Sequence, residues 1–135
     1  MRLKLTIIAV FIAIFTQCIL SCKKGNTNDM QMIQVDAQQN GKTIAVSKGQ
    51  TIKITLGNPG DGGYSFNAPQ YNSAVLSIGS HTRILSTTGA VGDAGKDSWE
   101  FTALTPGQSD LTFTATRGND ASSAITIFSG KITVK

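Results

Sequence analysis

The side chains that most often carry catalysis are few in this chain of 135 residues, and they are not spaced for it. His81 is the only histidine, and its neighbours Ser80 and Thr82 offer no carboxylate that would orient an imidazole, so we expect a surface or strand-end position. Six carboxylates are scattered without the alternating spacing of a calcium-binding loop. They are Asp61, Asp93, Asp97, Glu100, Asp110 and Asp120. The sequence therefore predicts a protein that is not an enzyme and needs no cofactor or metal, with a calcium site formed between separate loops as the open alternative.

Both cysteines lie near the N-terminus, in a segment typical of secretion. Arg2 and Lys4 give a positively charged start, and an apolar run follows at residues 7–15. That run is far shorter than the roughly 20 residues that cross a bilayer. A charged start, a short apolar core and small residues before a cysteine predict a signal peptide over residues 1–21.

The residues before Cys22, Ile19-Leu20-Ser21, resemble the lipobox of bacterial lipoproteins. The resemblance implies cleavage before Cys22, lipidation of its sulfur and a flexible tether over residues 22–29. Lys23 follows where an aspartate would resemble an inner-membrane retention signal, so we expect an outer-membrane lipoprotein of a bacterial envelope, in contact with the membrane only through its lipid. The alternative is an ordinary cleaved signal that leaves Cys22 as a free thiol.

Removal of residues 1–21 would also change the chemistry of the chain. Cys18 would be lost and Cys22 lipidated, which excludes a disulfide, a cysteine metal site and a cysteine nucleophile. Ten basic residues would remain against eight acidic ones, a net charge of about +2. That charge is too small and too dispersed to predict nucleic-acid binding.

Residues 30–135 are dominated by a two-residue apolar alternation. In residues 51–56, Ile52, Ile54 and Leu56 share one face, and similar rows at 98–103 and 111–116 place Trp99 in the expected core. Shorter strand candidates lie at 32–35, 43–46, 64–66, 75–78, 83–85 and 125–134, the last with a bulge near 129–130. This pattern predicts one all-β domain, an immunoglobulin-like antiparallel β-sandwich of about seven to nine strands without a disulfide.

Three loops of unusual composition adjoin the strongest strands. Residues 57–63 follow the first of them, residues 88–96 precede the second and residues 117–124 follow the third. On an immunoglobulin-like topology these are the B–C, D–E and F–G loops, which emerge at the same end of the sandwich. Loops held by a rigid scaffold often carry function, so we expect a binding surface there. From the composition of the loops alone, the preferred explanation of each is a polar turn that closes a hairpin.

In order and spacing, these loops resemble the chagasin-like inhibitors of papain-type cysteine peptidases. The family's first motif, Asn-Pro-Thr-Thr-Gly-Tyr/Phe, is similar to residues 58–64, which contain one extra residue. Its second, Gly-x-Gly-Gly, is similar to residues 92–95 with Ala94 in place of a glycine. Its third, Arg-Pro-Trp, begins with Arg117, but Gly118 and Asn119 replace the other two residues. The resemblance covers about residues 33–135.

The resemblance implies a monomeric, non-covalent inhibitor that wedges three loops into the active-site cleft of a papain-type cysteine peptidase. A pre-shaped loop favours such binding because it avoids the ordering cost of a flexible peptide. The implied peptidase-binding residues are Asn58, Pro59, Gly60, Asp61, Gly62, Gly63, Tyr64, Gly92, Asp93, Ala94, Gly95, Arg117, Gly118 and Asn119. The alternative is a non-inhibitory immunoglobulin-like envelope lipoprotein that binds another surface protein or a glycan, which the missing Pro-Trp pair favours.

Overall fold

A computed structural model describes residues 31–135 of the chain. The predicted signal peptide at 1–21, the lipidation site Cys22 and the tether at 22–29 lie outside the described residues. These assignments therefore stay predictions.

The described residues form eight strands and two short 3-10 turns. The strands are β1 (Ile33–Val35), β2 (Thr43–Val46), β3 (Thr51–Gly57), β4 (Tyr64–Phe66), β5 (Leu76–Ile84), β6 (Lys96–Ala103), β7 (Gly107–Arg117) and β8 (Asp120–Val134). The 3-10 turns are Ala37–Gln39 and Pro59–Gly62. The predicted all-β class is confirmed, because period-two alternation suits a strand with one buried face.

Two four-stranded sheets pack face to face as a sandwich. The first sheet has the order β1-β3-β6-β5, and the second has the order β2-β8-β7-β4. The immunoglobulin-like sandwich is confirmed, although β1 pairs with β3 and β2 with β8 in parallel, which makes both sheets mixed. The other pairings within the described residues are antiparallel, as expected. β1 and β2 follow one another in sequence but lie in different sheets, so they do not form an antiparallel hairpin. Each pairs in parallel with a strand that is not its neighbour in sequence.

The core lies between the sheets and is built from the predicted apolar rows. Ile52, Ile54 and Leu56 are buried, and Trp99 is 2% exposed. The Trp99 ring lies 4.6 Å from the Phe113 ring, centroid to centroid. Burying each such side chain contributes about 1.5–3 kcal/mol, so the apolar rows provide the main stabilisation of a sandwich that contains no cysteine.

Three features of the strands differ from the sequence prediction. The candidates at 75–78 and 83–85 are one strand, β5, and β8 begins at Asp120, so the loop predicted at 117–124 is shorter. The bulge predicted near 129–130 lies instead at residue 127, between the paired residues Thr126 and Phe128, and the pairing with β7 shifts a second time between Ile125 and Asp120. Gly130 is instead paired with Leu111, and a Cβ there would lie 3.1 Å from the Phe128 ring, so this glycine makes room for an aromatic side chain.

Candidate functional site

The register of the strands brings three loops to one end of the sandwich. We call residues 58–63 the first loop, residues 85–95 the second loop and residues 118–119 the third loop. In the first sheet, Gly57 at the end of β3 and Ile84 at the end of β5 both pair with Lys96 at the start of β6. In the second sheet, Arg117 at the end of β7 pairs with Tyr64 and Asp120, where β4 and β8 begin. We refer to the three loops, together with the flanking residues Tyr64 and Arg117, as the loop edge.

The first loop is a capped 3-10 turn and not an extended segment. Asn58 is its N-cap, and its Oδ1 accepts a hydrogen bond from the Gly60 N–H at 2.8 Å. The N–H of Gly63 donates to the Gly60 carbonyl at 2.9 Å, and Gly63 has a left-handed φ of 74° that closes the turn. The Asn-Pro pair explains this local shape, because Asn is a preferred N-cap and Pro fits the first turn.

The first loop is joined to the second by its capping residue. The Asn58 N–H donates to the Gly95 carbonyl at 2.9 Å, and Asn58 Nδ2 donates to the Asp97 carboxylate. A Cβ placed on Gly60 would lie 3.5 Å from the Cβ of Ala94, so the two loops approach to van der Waals contact. The first loop is therefore fixed against the base of the second.

His81 and Asp97 form a pair that the linear sequence did not reveal. His81 lies within β5, where its Nε2 is 2.7 Å from Asp97 Oδ1 and its ring stacks on Trp99 at 4.6 Å. Asp97 is 3% exposed, whereas the His81 side chain is 47% exposed. The expectation that no carboxylate orients this imidazole was wrong, because the partner comes from the neighbouring strand, and no local spacing signals it.

The second loop is organised around the carboxylate of Asp93. Ser86 Oγ and Thr88 Oγ1 donate to Asp93 Oδ2, the latter at 2.8 Å, and the Gly95 N–H donates to Oδ1 at 3.0 Å. These hydrogen bonds, that from Ser86 foremost, lower the pKa of Asp93 below its ordinary value because they favour the charged form. The second loop also begins earlier than the predicted 88–96 segment.

Gly95 ends the second loop at a position where only glycine fits. Its φ is 82°, and a Cβ there would lie 2.3 Å from the Ile84 carbonyl oxygen and 2.9 Å from the Ser86 nitrogen. Both obstacles are backbone atoms, which cannot rotate away as a side chain can. The glycine that closes the second motif is thus required by the close approach of the two chain segments.

Arg117 connects the third loop to the first. Its Nε donates to the Gly62 carbonyl at 3.0 Å, and its guanidinium carbon lies 4.5 Å from the centroid of the Tyr64 ring. Gly118 and Asn119 form the exposed two-residue turn between β7 and β8. Asp120, which follows the turn, accepts hydrogen bonds from the Ser122 hydroxyl and N–H, and these lower the pKa of Asp120.

The structure thus brings the residues predicted from the three motifs to one surface. It joins Asn58 to Gly95 and Arg117 to Gly62 and Tyr64. Gly92 approaches the same surface, since a Cβ there would lie 3.7 Å from Asp61 Oδ2. The predicted residues of the loop edge are Asn58, Pro59, Gly60, Asp61, Gly62, Gly63, Tyr64, Gly92, Asp93, Ala94, Gly95, Arg117, Gly118 and Asn119.

Two exposed apolar side chains of the second loop were missed by sequence reasoning. Leu85 is 73% exposed and Val91 is fully exposed. For Val91 the available signal was an apolar residue inside a glycine-rich loop with no alternation to bury it, whereas Leu85 was assigned to the strand candidate 83–85, which ends one residue earlier in the structure.

The described residues contain no cluster of three or more His, Cys, Asp or Glu side chains that could hold a metal ion. Within residues 31–135, no helix is long and apolar enough to cross a membrane.

Comparison with known proteins gives the same picture of the fold and adds a family. The sequence model described as "Chagasin family peptidase inhibitor I42" matches residues 45–133. The structure is similar to that of the cysteine protease inhibitor EhICP2 from Entamoeba histolytica, with a TM-score of 0.66 and 17% identity over 77% of this chain and 96% of that one. It is also similar to amebosin, with a TM-score of 0.61 and 21% identity over 78% of this chain and 99% of that one. At these identities the structural similarities concern the fold alone.

No curated protein is similar enough in sequence to match the chain. The family match nevertheless spans most of the sandwich, from β2 to β8, and all three loops. It confirms the resemblance found in the sequence and the expectation that the protein is not an enzyme, because this family consists of inhibitors. The chain belongs to the chagasin family of peptidase inhibitors.

Proposed function

We propose that this protein is a lipid-anchored inhibitor of papain-type cysteine peptidases that inserts its loop edge into the active-site cleft of the target. The observation that carries the proposal is the set of hydrogen bonds that hold the first loop in place. Asn58 bonds the first loop to the second, and Arg117 bonds the first loop to the strand end that precedes the third. Such a surface enters a cleft without the entropy cost of ordering it first.

The conformation of the first loop suits an inhibitor more than a substrate. A peptide that binds in extended form pairs its free main chain with its partner. In the first loop the amides of Gly60 and Gly63 are already bonded within the turn. A peptidase would have to unfold this turn before cleaving it, so the loop can cover the catalytic cysteine and still persist.

We assign the contacts with the target differently from the family's motifs, in which the third loop carries a tryptophan. The third loop has no aromatic residue, and Arg117 is engaged within the protein. The exposed side chains of Leu85 and Val91 on the second loop supply apolar area in its place. We assign the main apolar contact to the second loop and the central position to Tyr64 and the first loop.

The position of the chain's entry into the sandwich supports the lipid anchor as part of the same function. β1 runs parallel to β3, and the Gln31 carbonyl accepts a hydrogen bond from the Gln50 side chain at 3.1 Å, just before β3 begins. The loop edge lies where β3 ends, at the opposite end of the sandwich. A chain tethered through Cys22 at an outer membrane would therefore present the loop edge away from the lipid.

The test is an inhibition assay with the purified full-length protein in detergent against several papain-family enzymes. We expect reversible inhibition that competes with a small active-site ligand. Tyr64→Ala, and replacement of residues 59–63 by Ser-Gly repeats, should each weaken inhibition about tenfold or more. Lys48→Ala, an exposed residue at the opposite end of the sandwich, is the matched control and should inhibit like the wild type. Equal potency of all four proteins would exclude the wedge.

One observation favours the second candidate, a non-inhibitory envelope lipoprotein that binds a surface protein or a glycan. The third loop presents only Gly118 and Asn119, so it offers no aromatic or cationic anchor to a cleft wall. A wild-type protein that leaves every tested cysteine peptidase active, yet retains an envelope protein or a glycan when the three loops are replaced, would favour this candidate.

A further inference from the structure

The Asp97 carboxylate is a buried charge beneath the loop edge, and it is shared by three elements. It lies on β6, is 3% exposed, and bonds to Asn58 of the first loop and to His81 of β5. An ionised carboxylate can only accept hydrogen bonds, so both partners must donate. His81 therefore carries a proton on Nε2, and Asn58 turns its Nδ2 toward Asp97.

This requirement fixes the orientation of the Asn58 side chain. With Nδ2 directed at Asp97, the amide oxygen Oδ1 is left to face the Gly60 N–H, to which it bonds at 2.8 Å. A flipped amide would place its oxygen against the carboxylate and its NH₂ against the Gly60 N–H. One buried charge thus selects the amide orientation that caps the turn of the first loop.

The other groups around Asp97 do not provide this function. Arg83 pairs with Asp97 in register, but its guanidinium donates to the Ala94 carbonyl at 3.0 Å and so holds the second loop. The neighbouring Lys96 is exposed. His81 is kept in place by its stacking on Trp99, with ring planes only 3° apart. Because burying a charge is costly unless it is paired, the two donors also account for its presence in the sandwich.

We propose that Asp97 and His81 are positioning residues that hold the first loop in its binding conformation through Asn58. The proposal rests on the inhibitory function proposed above, and it adds two residues outside the three motifs. Neither side chain belongs to the loop edge itself. They act through the capping asparagine, which joins β5, β6 and the first loop.

An exchange of the two side chains tests the direction of the hydrogen bond. In Asp97→Asn, an amide oxygen and an NH₂ group replace the two carboxylate oxygens that accept from Asn58 and His81, so with the proton kept on His81 Nε2 the NH₂ group faces another donor. In Asn58→Asp, two carboxylates face each other. In the double variant, position 58 can accept from both the Gly60 N–H and the new amide at 97, whose oxygen still accepts from His81. We expect each single variant to weaken inhibition about tenfold or more, and the double variant to return to within about threefold of the wild type.

Two further measurements separate positioning from stability. Amide hydrogen exchange at Gly60, followed by NMR, should be faster in both single variants and restored in the double variant, while thermal unfolding reports the fold. His81→Gln retains an N–H donor and should stay closer to the wild type than His81→Ala. Wild-type exchange and inhibition in Asp97→Asn, or a double variant no better than the worse single variant, would overturn the proposal.

The amide hydrogen-exchange measurement also distinguishes a failure of this proposal from a failure of the proposed inhibitory function. If the wild type inhibits no peptidase, the inhibitory function fails, and the exchange rate at Gly60 alone decides whether Asp97 and His81 position the loop. If Asp97→Asn does not fold, a folded double variant with restored exchange supports the proposal and an unfolded one overturns it.

Discussion

Gly95→Ala is the substitution whose cost follows most directly from the structure. The new methyl group would start 2.3 Å from the Ile84 carbonyl oxygen, so one of the two backbone segments must move by about 1 Å to restore van der Waals contact. Alanine at a φ of 82° adds left-handed backbone strain of about 1–2 kcal/mol. Overpacking adds about 1–3 kcal/mol, so we expect the free energy of unfolding to fall by about 2–5 kcal/mol.

Gly89→Ala is the matched control in the same loop. Gly89 also has a positive φ, 63°, but apart from its chain neighbours no heavy atom of residues 31–135 lies within 4 Å of the position a Cβ would take. The control therefore carries the backbone strain without the clash. The difference between the two variants, about 1–3 kcal/mol, isolates the close approach of Gly95 to Ile84.

Thermal unfolding of the two purified variants, followed by circular dichroism, measures this difference. At about 4–8 °C per kcal/mol for a domain of this size, Gly95→Ala should melt about 4–24 °C below Gly89→Ala. Inhibition should weaken too, because the Gly95 carbonyl accepts the Asn58 N–H. Equal melting temperatures would refute the reasoning, since residues 84–86 would then move aside without cost.

Three further predictions concern the loop edge and the membrane anchor. Arg117→Ala removes the hydrogen bond to Gly62 and the contact with Tyr64, so inhibition should weaken about 5–30-fold, the equivalent of about 1–2 kcal/mol. Arg117→Lys keeps the charge but lacks Nε, so it should inhibit about as weakly as Arg117→Ala. Wild-type potency in the Lys variant would instead show that the charge alone is responsible. The pKa of Asp93 is lowered below its ordinary value of 3.8, so the hydrogen bonds of its carboxylate should order the second loop above that pH and be lost as the pH falls through the folded-state pKa. The rate of amide hydrogen exchange at Gly95, measured against pH, should show this transition. A wild-type pH curve as flat as that of Asp93→Asn would contradict it. Cys22→Ser should move the protein from the membrane to the soluble fraction of the cells that produce it, and an unchanged membrane fraction would argue against lipidation.

The strands were predictable because their signal is local. The rows around Ile52, Trp99 and Phe113 alternate with a period of two, and the buried sandwich follows from that alternation. The bulge of β8 was placed two residues too late because the sequence shows that the parity of the apolar row changes, but not which residue is left unpaired. Packing decided the position of the bulge, because Gly130 is paired in the β-ladder at a point where a larger residue would contact the Phe128 ring.

The candidate site likewise depends partly on local interactions, which the sequence reveals, and partly on distant ones. The order of the loop motifs, the Asn-Pro cap and the glycine-rich turns are properties of adjacent residues, so the sequence by itself determined the fold class and the family, and it located most of the three loops. The bonds that hold that edge join residues far apart in the chain, 39 positions from Asn58 to Asp97 and 55 from Arg117 to Gly62. Only the tertiary structure decided that Arg117 holds the first loop and that Asp97 lies beneath it between Asn58 and His81. The physical reason is that a hydrogen bond needs its donor and acceptor within about 3 Å. Which distant side chains meet at that distance depends on how the strands pair and pack, and adjacent residues do not specify the partner strand or its register.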